Sequence, residues 1–191
     1  MVRFVLAIAL ILGASAASAE DANFAAFHRI CIATGGERGA ALAAAEAEGY
    51  VLPPKLILDQ VAQSAVPLDK AEVRAKLITD GIVWVSVGQM GGPFENRYTS
   101  SQMCLVGVSP MSPASEKAAT AWGGVTPAVN DPQFQMLLFT GAEGAHRVVP
   151  KTDDKAPGAL ASGARLQLLG AGHTEGVTLM LYGVVKAAPA P

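Results

Sequence analysis

Histidine, serine, cysteine and the carboxylates carry most side-chain chemistry, and this 191-residue chain holds only three histidines and two cysteines. Acyl transfer by serine needs a nucleophile, a base, and an acid that orients the base. His146 and His173 are the candidate bases, with Asp153 or Asp154 as the acid. No Gly-x-Ser-x-Gly is present, Ser100-Ser101 fall inside a predicted strand, and no spacing selects one triad. His28 and Cys31 lie three apart on a predicted helix, a pair that could begin a metal site. No Cys-x-x-Cys or His-x-x-x-His completes a ligand set, so the sequence predicts no metal and no cofactor.

Candidate binding residues come in two groups. His173-Thr174-Glu175 sits in a glycine-flanked stretch, Gly170 to Gly176, read as the loop of a hairpin. Polar loops held by a sheet are common places for a site, and an ordinary exposed turn has the same look. Trp84, Phe94, Arg97 and Tyr98 form the second group. If they converge at a loop mouth, they make an aromatic and arginine cluster of the kind that recognises a peptide or a sugar. The alternative places Trp84 in the core and Arg97 at a strand edge. Gly88 to Pro93, between them, lacks the lysine and following helix of a phosphate-binding loop and reads as a hairpin connection. Glu46 and Glu48 read as the solvated face of an Ala-rich helix.

The elements that must position these residues change character part-way along. Asp21 is a predicted N-cap, and Phe24, Phe27, Cys31 and Ile32 recur at helical spacing over residues 22–33. Thr34-Gly35-Gly36 ends that helix. A second spans Glu37 to Glu48 with Gly49 as its stop, and a third holds Leu56, Ile57 and Val61. Asp69 is read as capping a short helical segment through Val73 and Leu77. From Ile82 the chain turns β-branched and aromatic. Strands are expected at 82–87, 97–108, 134–140, 145–149, 165–169 and 177–185, with a helix beginning at Ser112-Pro113 and closed by Gly123-Gly124. Lys151 to Gly158 reads as an exposed loop, and Ala187 to Pro191 as a frayed Ala/Pro tail. Helices first and hairpins later argue for one α+β domain over residues 20–186, its N-terminal helices packed on one face of a mainly antiparallel sheet of about five or six strands.

The first 19 residues have a separate logic. Arg3 is followed by an apolar run, Phe4 to Leu12, then Gly13 to Ala19 of small residues with Ala-x-Ala sites ending at Ala16 and Ala19. That is the pattern of a secretory signal peptide, with cleavage expected after Ala19. The run is shorter than the roughly 20 apolar residues a membrane span needs, and no later stretch approaches that length. The mature chain would carry 13 basic and 16 acidic residues, a formal charge of −3, with no Lys/Arg cluster. This argues against nucleic acid, which calls for a concentrated basic patch. Two cysteines in an exported chain read as a disulfide, Cys31 to Cys104. A redox pair of the thioredoxin kind would sit two residues apart.

The block Phe24 to Tyr50 reads Phe-x-x-Phe-x-x-x-Cys, a small-residue break, an Ala-rich helix, then Gly and an aromatic. Together with the second cysteine in a mid-chain strand, it resembles a group of small, uncharacterised exported proteins of proteobacteria. The resemblance covers about a third of the chain. It implies a periplasmic location and a helix-to-strand disulfide, and it brings no catalytic residues. The expected function is a non-enzymatic binding or accessory role in the periplasm, or outside the cell, for a protein, peptide or small-molecule partner. The alternatives are a small hydrolase using His146 or His173, and a structural or stress-related envelope component.

Overall fold

In the computed structural model, residues 21–64, 66–94, 97–124, 129–131, 133–149, 158, 163 and 165–188 are described. The leader at 1–19, Asp153 and Asp154 lie outside them, as do residues 151–157 of the expected surface loop.

Capping chemistry sets the helix ends. The Asp21 carboxylate accepts from the Phe24 N–H at 2.8 Å and opens α1, Ala22–Phe27. The helix then widens into a π-helical turn, His28–Ile32, and Gly35 and Gly36 end it with φ of 67° and 69°, a left-handed backbone that other residues rarely adopt. Helix α2, Arg38–Ala47, starts with the Glu37 carboxylate accepting from the Gly39 and Ala40 N–H groups, which lowers that carboxyl's pKa. Helix α3 spans Lys55–Ser64. Helix α4, Pro113–Gly123, has the Ser112 hydroxyl as N-cap and left-handed Gly124 as C-cap.

The strands are β1, Asp69–Ile78; β2, Gly81–Phe94; β3, Arg97–Ser109; β4, Val129–Asn130; β5, Phe134–Thr140; β6, Arg147–Val148; β7, Leu166–Thr174; and β8, Val177–Ala188. All pair antiparallel in one sheet, ordered β1-β2-β3-β8-β7-β5-β4, with the short β6 on β5. The α+β class stands, and the sheet is larger than five or six strands.

Several expectations are corrected, two of them for one reason. Residues 69–77 are strand, not helix: Glu72 to Ile78 pair residue by residue with Val87 to Gly81. Gly88 to Pro93 is not a connection but the second half of β2, paired with Met103 to Tyr98. Gly170 to Thr174 likewise belong to β7, which leaves Glu175-Gly176 as a two-residue turn with both φ positive. The glycines in these strands make room for side chains. A Cβ at Gly170 would strike Leu181 and Phe134, one at Gly172 the Phe134 backbone and ring, and one at Gly88 Leu68. Glycine in a strand marks a close approach as often as a turn. Strand β8 also continues through Ala187 and Ala188, opposite Thr99 and Tyr98, into the stretch expected to fray.

Because side chains alternate along a strand, the sheet builds two cores. Val83, Val85, Val87, Cys104, Val106, Met180 and Tyr182 join Phe24, Phe27, Ile30, Leu42 and Ala119 from the helices. The intervening residues Trp84, Met103, Leu105, Leu179 and Leu181 join Val61 of α3. Helix α3 therefore shares the core of the opposite face, and the helices do not all cover one side. A disulfide joins Cys31 in the π turn to Cys104 in β3, both fully buried. No helix among the described residues is long and apolar enough to cross a membrane.

Candidate functional site

A cleft of about 640 Å³ opens where the π turn, the end of α4, the β5–β6 turn, the start of β7 and the middle of β8 meet. The π turn matters because it presents its two faces unequally. Cys31 is tied down to the sheet, while His28 and Ile32 line the cleft. Across from them stand Trp122, at the end of α4, and Glu143 and His146, which follow Gly141.

His28 and Trp122 both hold Glu143. The Trp122 indole N–H donates to its Oε1 at 2.9 Å and His28 Nε2 to its Oε2 at 3.3 Å. The indole hydrogen bond, more than the histidine, keeps the Glu143 carboxyl below the usual carboxylate range, against a smaller upward push from burial. The His28 ring meets Trp122 edge-on at 5.8 Å.

His146 is the most constrained group. Its ring lies between Trp122 and Phe139, with centroids at 4.6 and 4.4 Å. Its Nδ1 is 3.0 Å from the Gly123 carbonyl oxygen. A carbonyl only accepts, so Nδ1 carries the hydrogen, and in the neutral ring Nε2 is left with a bare lone pair. That Nε2 is buried and has no hydrogen-bond partner.

The floor is a chain of hydrogen bonds. Arg165 lies beside the Tyr182 hydroxyl; that hydroxyl donates to Gln167 Oε1 at 2.5 Å, and Gln167 Nε2 donates to the Gly141 carbonyl at 2.7 Å. Burial raises the pKa of the Tyr182 phenol, with Arg165 pulling the other way. The Arg165 guanidinium lies over Gly35, so close that a Cβ there would fall 2.7 Å from Nη2. Glu143 and Arg165 thus line the same cleft without forming an ion pair with each other.

The residues expected from sequence are dispersed. Trp84 is buried in the second core, and its indole N–H has no partner. Phe94 is ten residues further along the same strand, about 33 Å away at the rise of an extended chain. Arg97 pairs with Phe94 and Tyr98 with Pro93 at the far end of the hairpin, so the four positions do not converge. His173 donates from Nδ1 to Glu116 at 3.0 Å beside a smaller cleft of about 560 Å³, and Glu175 is in the β7–β8 turn. Ser100 and Ser101 line a groove of about 810 Å³ with Gln102, Arg165 and Lys186. Two histidines meet carboxylates, and among the described residues none is hydrogen-bonded to a serine, threonine or cysteine. No cluster of three or more potential ligands for a metal occurs among the described residues. Glu46 and Glu48 pair with Arg74 and Arg29 on the surface.

Of the cleft's residues, sequence reasoning singled out His28 and His146 but for other chemistry, and missed Trp122, Glu143, Arg165 and Tyr182. The one available signal was the aromatic Trp122 just before a helix-ending glycine pair. Comparison with protein-family models, curated proteins and solved structures finds no match.

Proposed function

We propose that this is an exported, non-enzymatic binding protein of the periplasm or cell exterior, and that the His146 cleft holds a small molecule. The observation that carries the reading is the cleft itself, about 640 Å³, walled by the rings of His28, Trp122, His146 and Tyr182 with the Glu143 and Arg165 side chains at its lining. Preformed clefts of about 300–1,000 Å³ with aromatic walls and a few placed polar groups suit small ligands. Catalysis by His146 would call for a hydroxyl or thiol bonded to it, and its second nitrogen is committed to a backbone carbonyl instead of an orienting acid. Export is supported by the leader-like residues 1–19 and by a buried disulfide, which persists in an oxidising compartment.

The test uses the full chain expressed in a proteobacterial host. Intact mass of the periplasmic fraction should give a chain starting at Glu20 with no free thiol. The purified protein is then titrated with a panel of amino acids, amines, sugars, nucleosides and aromatic acids. Melting temperature and tryptophan fluorescence are followed, because Trp122 is in the cleft and Trp84 is buried away from it. At least one class should raise the melting temperature and shift the fluorescence. A panel that moves neither overturns the small-molecule reading.

A further inference from the structure

We infer that a second groove, of about 810 Å³, takes an acidic saccharide, with Lys186 and Arg165 for its carboxylate and Gln89, Ser100 and Gln102 for its hydroxyls. The groove exists because the long strands outrun the helices. Gly36 sits directly on β3 and β8, where a Cβ would come 3.3 Å from the Gln102 and Tyr182 carbonyl oxygens. Beyond that contact β2 runs on to Phe94 and β8 to Ala188, with β3 between them from Arg97. Side chains two apart on a strand share a face. On this face Val83, Val85 and Val87 of β2 are followed by Gln89, and Val106 and Cys104 of β3 by Gln102 and Ser100. On β8, Met180, Tyr182 and Val184 are followed by Lys186. Polar groups thus replace the core where the helical layer stops. Gln89 is the cross-strand partner of Gln102, and Ser100 of Lys186.

These groups have hydrogen-bonding capacity to spare. Among the described residues, the side chains of Gln89, Ser100 and Lys186 make no hydrogen bond or ion pair, and Gln102 uses only its Oε1, which accepts from the Arg38 N–H. Glu37 is the one acid among the described residues of the lining, and its carboxylate is occupied in capping α2. Lys186 and Arg165 therefore give the groove a positive character in a chain whose net charge is negative. The floor covers two strand spacings, roughly 10 Å at about 4.8 Å each, and two rows roughly 7 Å apart along the strands. A bare carboxylate or phosphate meets only the Lys186 side of it. The Ser100 hydroxyl and the Gln89 carboxamide each donate and accept, as sugar hydroxyls do, while a neutral sugar leaves the cations unanswered. No aromatic ring among the described residues lines the groove, so a nucleobase finds no stacking platform. The floor is a face of paired strands, which offers no backbone edge to an extended peptide. Arg165 lines both this groove and the His146 cleft, whereas Gln89, Ser100 and Lys186 line the groove alone.

Isothermal titration of the disulfide-intact mature protein tests this with trigalacturonate, trimannuronate and sialyllactose. At least one should bind. Its methyl ester, which keeps the hydroxyls and loses the charge, and glutarate, which has carboxylates and no hydroxyls, should each bind at least tenfold more weakly. Lys186→Gln and Gln89→Ala, both at exposed positions, should each weaken the acidic saccharide at least threefold with an unchanged melting temperature. No binding by any of the three saccharides, equal binding of the ester or of glutarate, or indifference to both substitutions overturns the proposal. Because neither Lys186 nor Gln89 lines the His146 cleft, that failure leaves the small-molecule reading of the cleft standing. A cleft ligand read by tryptophan fluorescence should bind the two variants as it binds the parent.

Discussion

Trp84 and Gly107 are direct cross-strand partners in the β2–β3 ladder, and the indole lies where the glycine's Cβ would be. A methyl at 107 would meet three ring atoms, each within the 3.0 Å that real Cβ atoms keep clear. The ring is 2% exposed and packed on its other sides, so it cannot swing away. Gly107→Ala is expected to destabilise by about 1–3 kcal/mol through overpacking. Gly92→Ala in the same hairpin, where a Cβ meets nothing within 4 Å, should stay within about 0.5 kcal/mol of the parent. Urea unfolding of the two variants distinguishes close approach from mere strand glycine; equal losses would sink the explanation.

The Cys31–Cys104 bond spans 73 positions, one end on a helical turn and the other in a central strand. In the chain-entropy model, closing a loop of that length is worth on the order of 4 kcal/mol. Replacing both cysteines by alanine should lower stability by that order, read from the whole urea curve, with a lower midpoint and a steeper slope because the unfolded chain without its crosslink exposes more surface. Both sulfurs are fully buried. Reductant should therefore act on the native protein only as fast as it opens, and rapid thiol labelling under native conditions would contradict the burial.

Ser115 is fully buried in α4, and its hydroxyl donates to the Asp21 carboxylate at 2.6 Å. The same carboxylate caps α1. Ser115→Ala is expected to cost about 1–3 kcal/mol, as for a buried hydrogen bond to a charged group. Asp21→Ala should cost at least as much, since it removes the cap as well. The double mutant should lose less than the sum, because the two share one bond. Additive losses in thermal unfolding would show that the residues are not coupled. Cleavage after Ala19 leaves Asp21 in place as the second residue, and a chain begun at Asn23 should reproduce the Asp21→Ala loss.

Tyr50 is pushed up to about 12, chiefly by burial and then by the neighbouring Glu48 carboxylate, with Arg29 opposing. Burial raises Tyr182 as well. An unfolded phenol ionises near 10. A group whose folded pKa is raised stabilises fully below its unfolded pKa, and the contribution is lost as pH climbs through the folded value. Stability should thus hold below pH of about 10 and decline between about 10 and 12. A phenolate absorbance titration of the three tyrosines should show at least two ionising late in native protein and together with the rest in denaturant. Early ionisation of all three would contradict the burial.

Much of the helical half was legible because its signals are local. Asp21, Gly49, Ser112-Pro113 and the glycine pairs at 35–36 and 123–124 act within one turn of the chain, and the caps form where those residues stand. Phe134–Thr140 was equally clear, as a β-rich run between turns. The charged alternation of residues 69–78 misled, because Lys, Glu and Arg are poor strand formers, and only pairing with the apolar β2 makes that edge a strand.

By itself the sequence determined the α+β class, the pairing of its only two cysteines and the main helix ends. Each of these is set by neighbours a few residues apart or by simple counting. The tertiary structure alone decided that Gly88, Gly107, Gly170 and Gly172 are strand residues lying under Leu68, Trp84, Leu181 and Phe134. It alone decided that Trp84 and Phe94 are kept apart, and that His28, Trp122, Glu143, His146 and Arg165 share a cleft. Glycine permits both a turn and a close approach, and only the side chain that comes to lie on it selects between them. Side chains as distant in sequence as residues 28, 143 and 165 acquire a common chemistry only after the sheet has brought its edges and helices together.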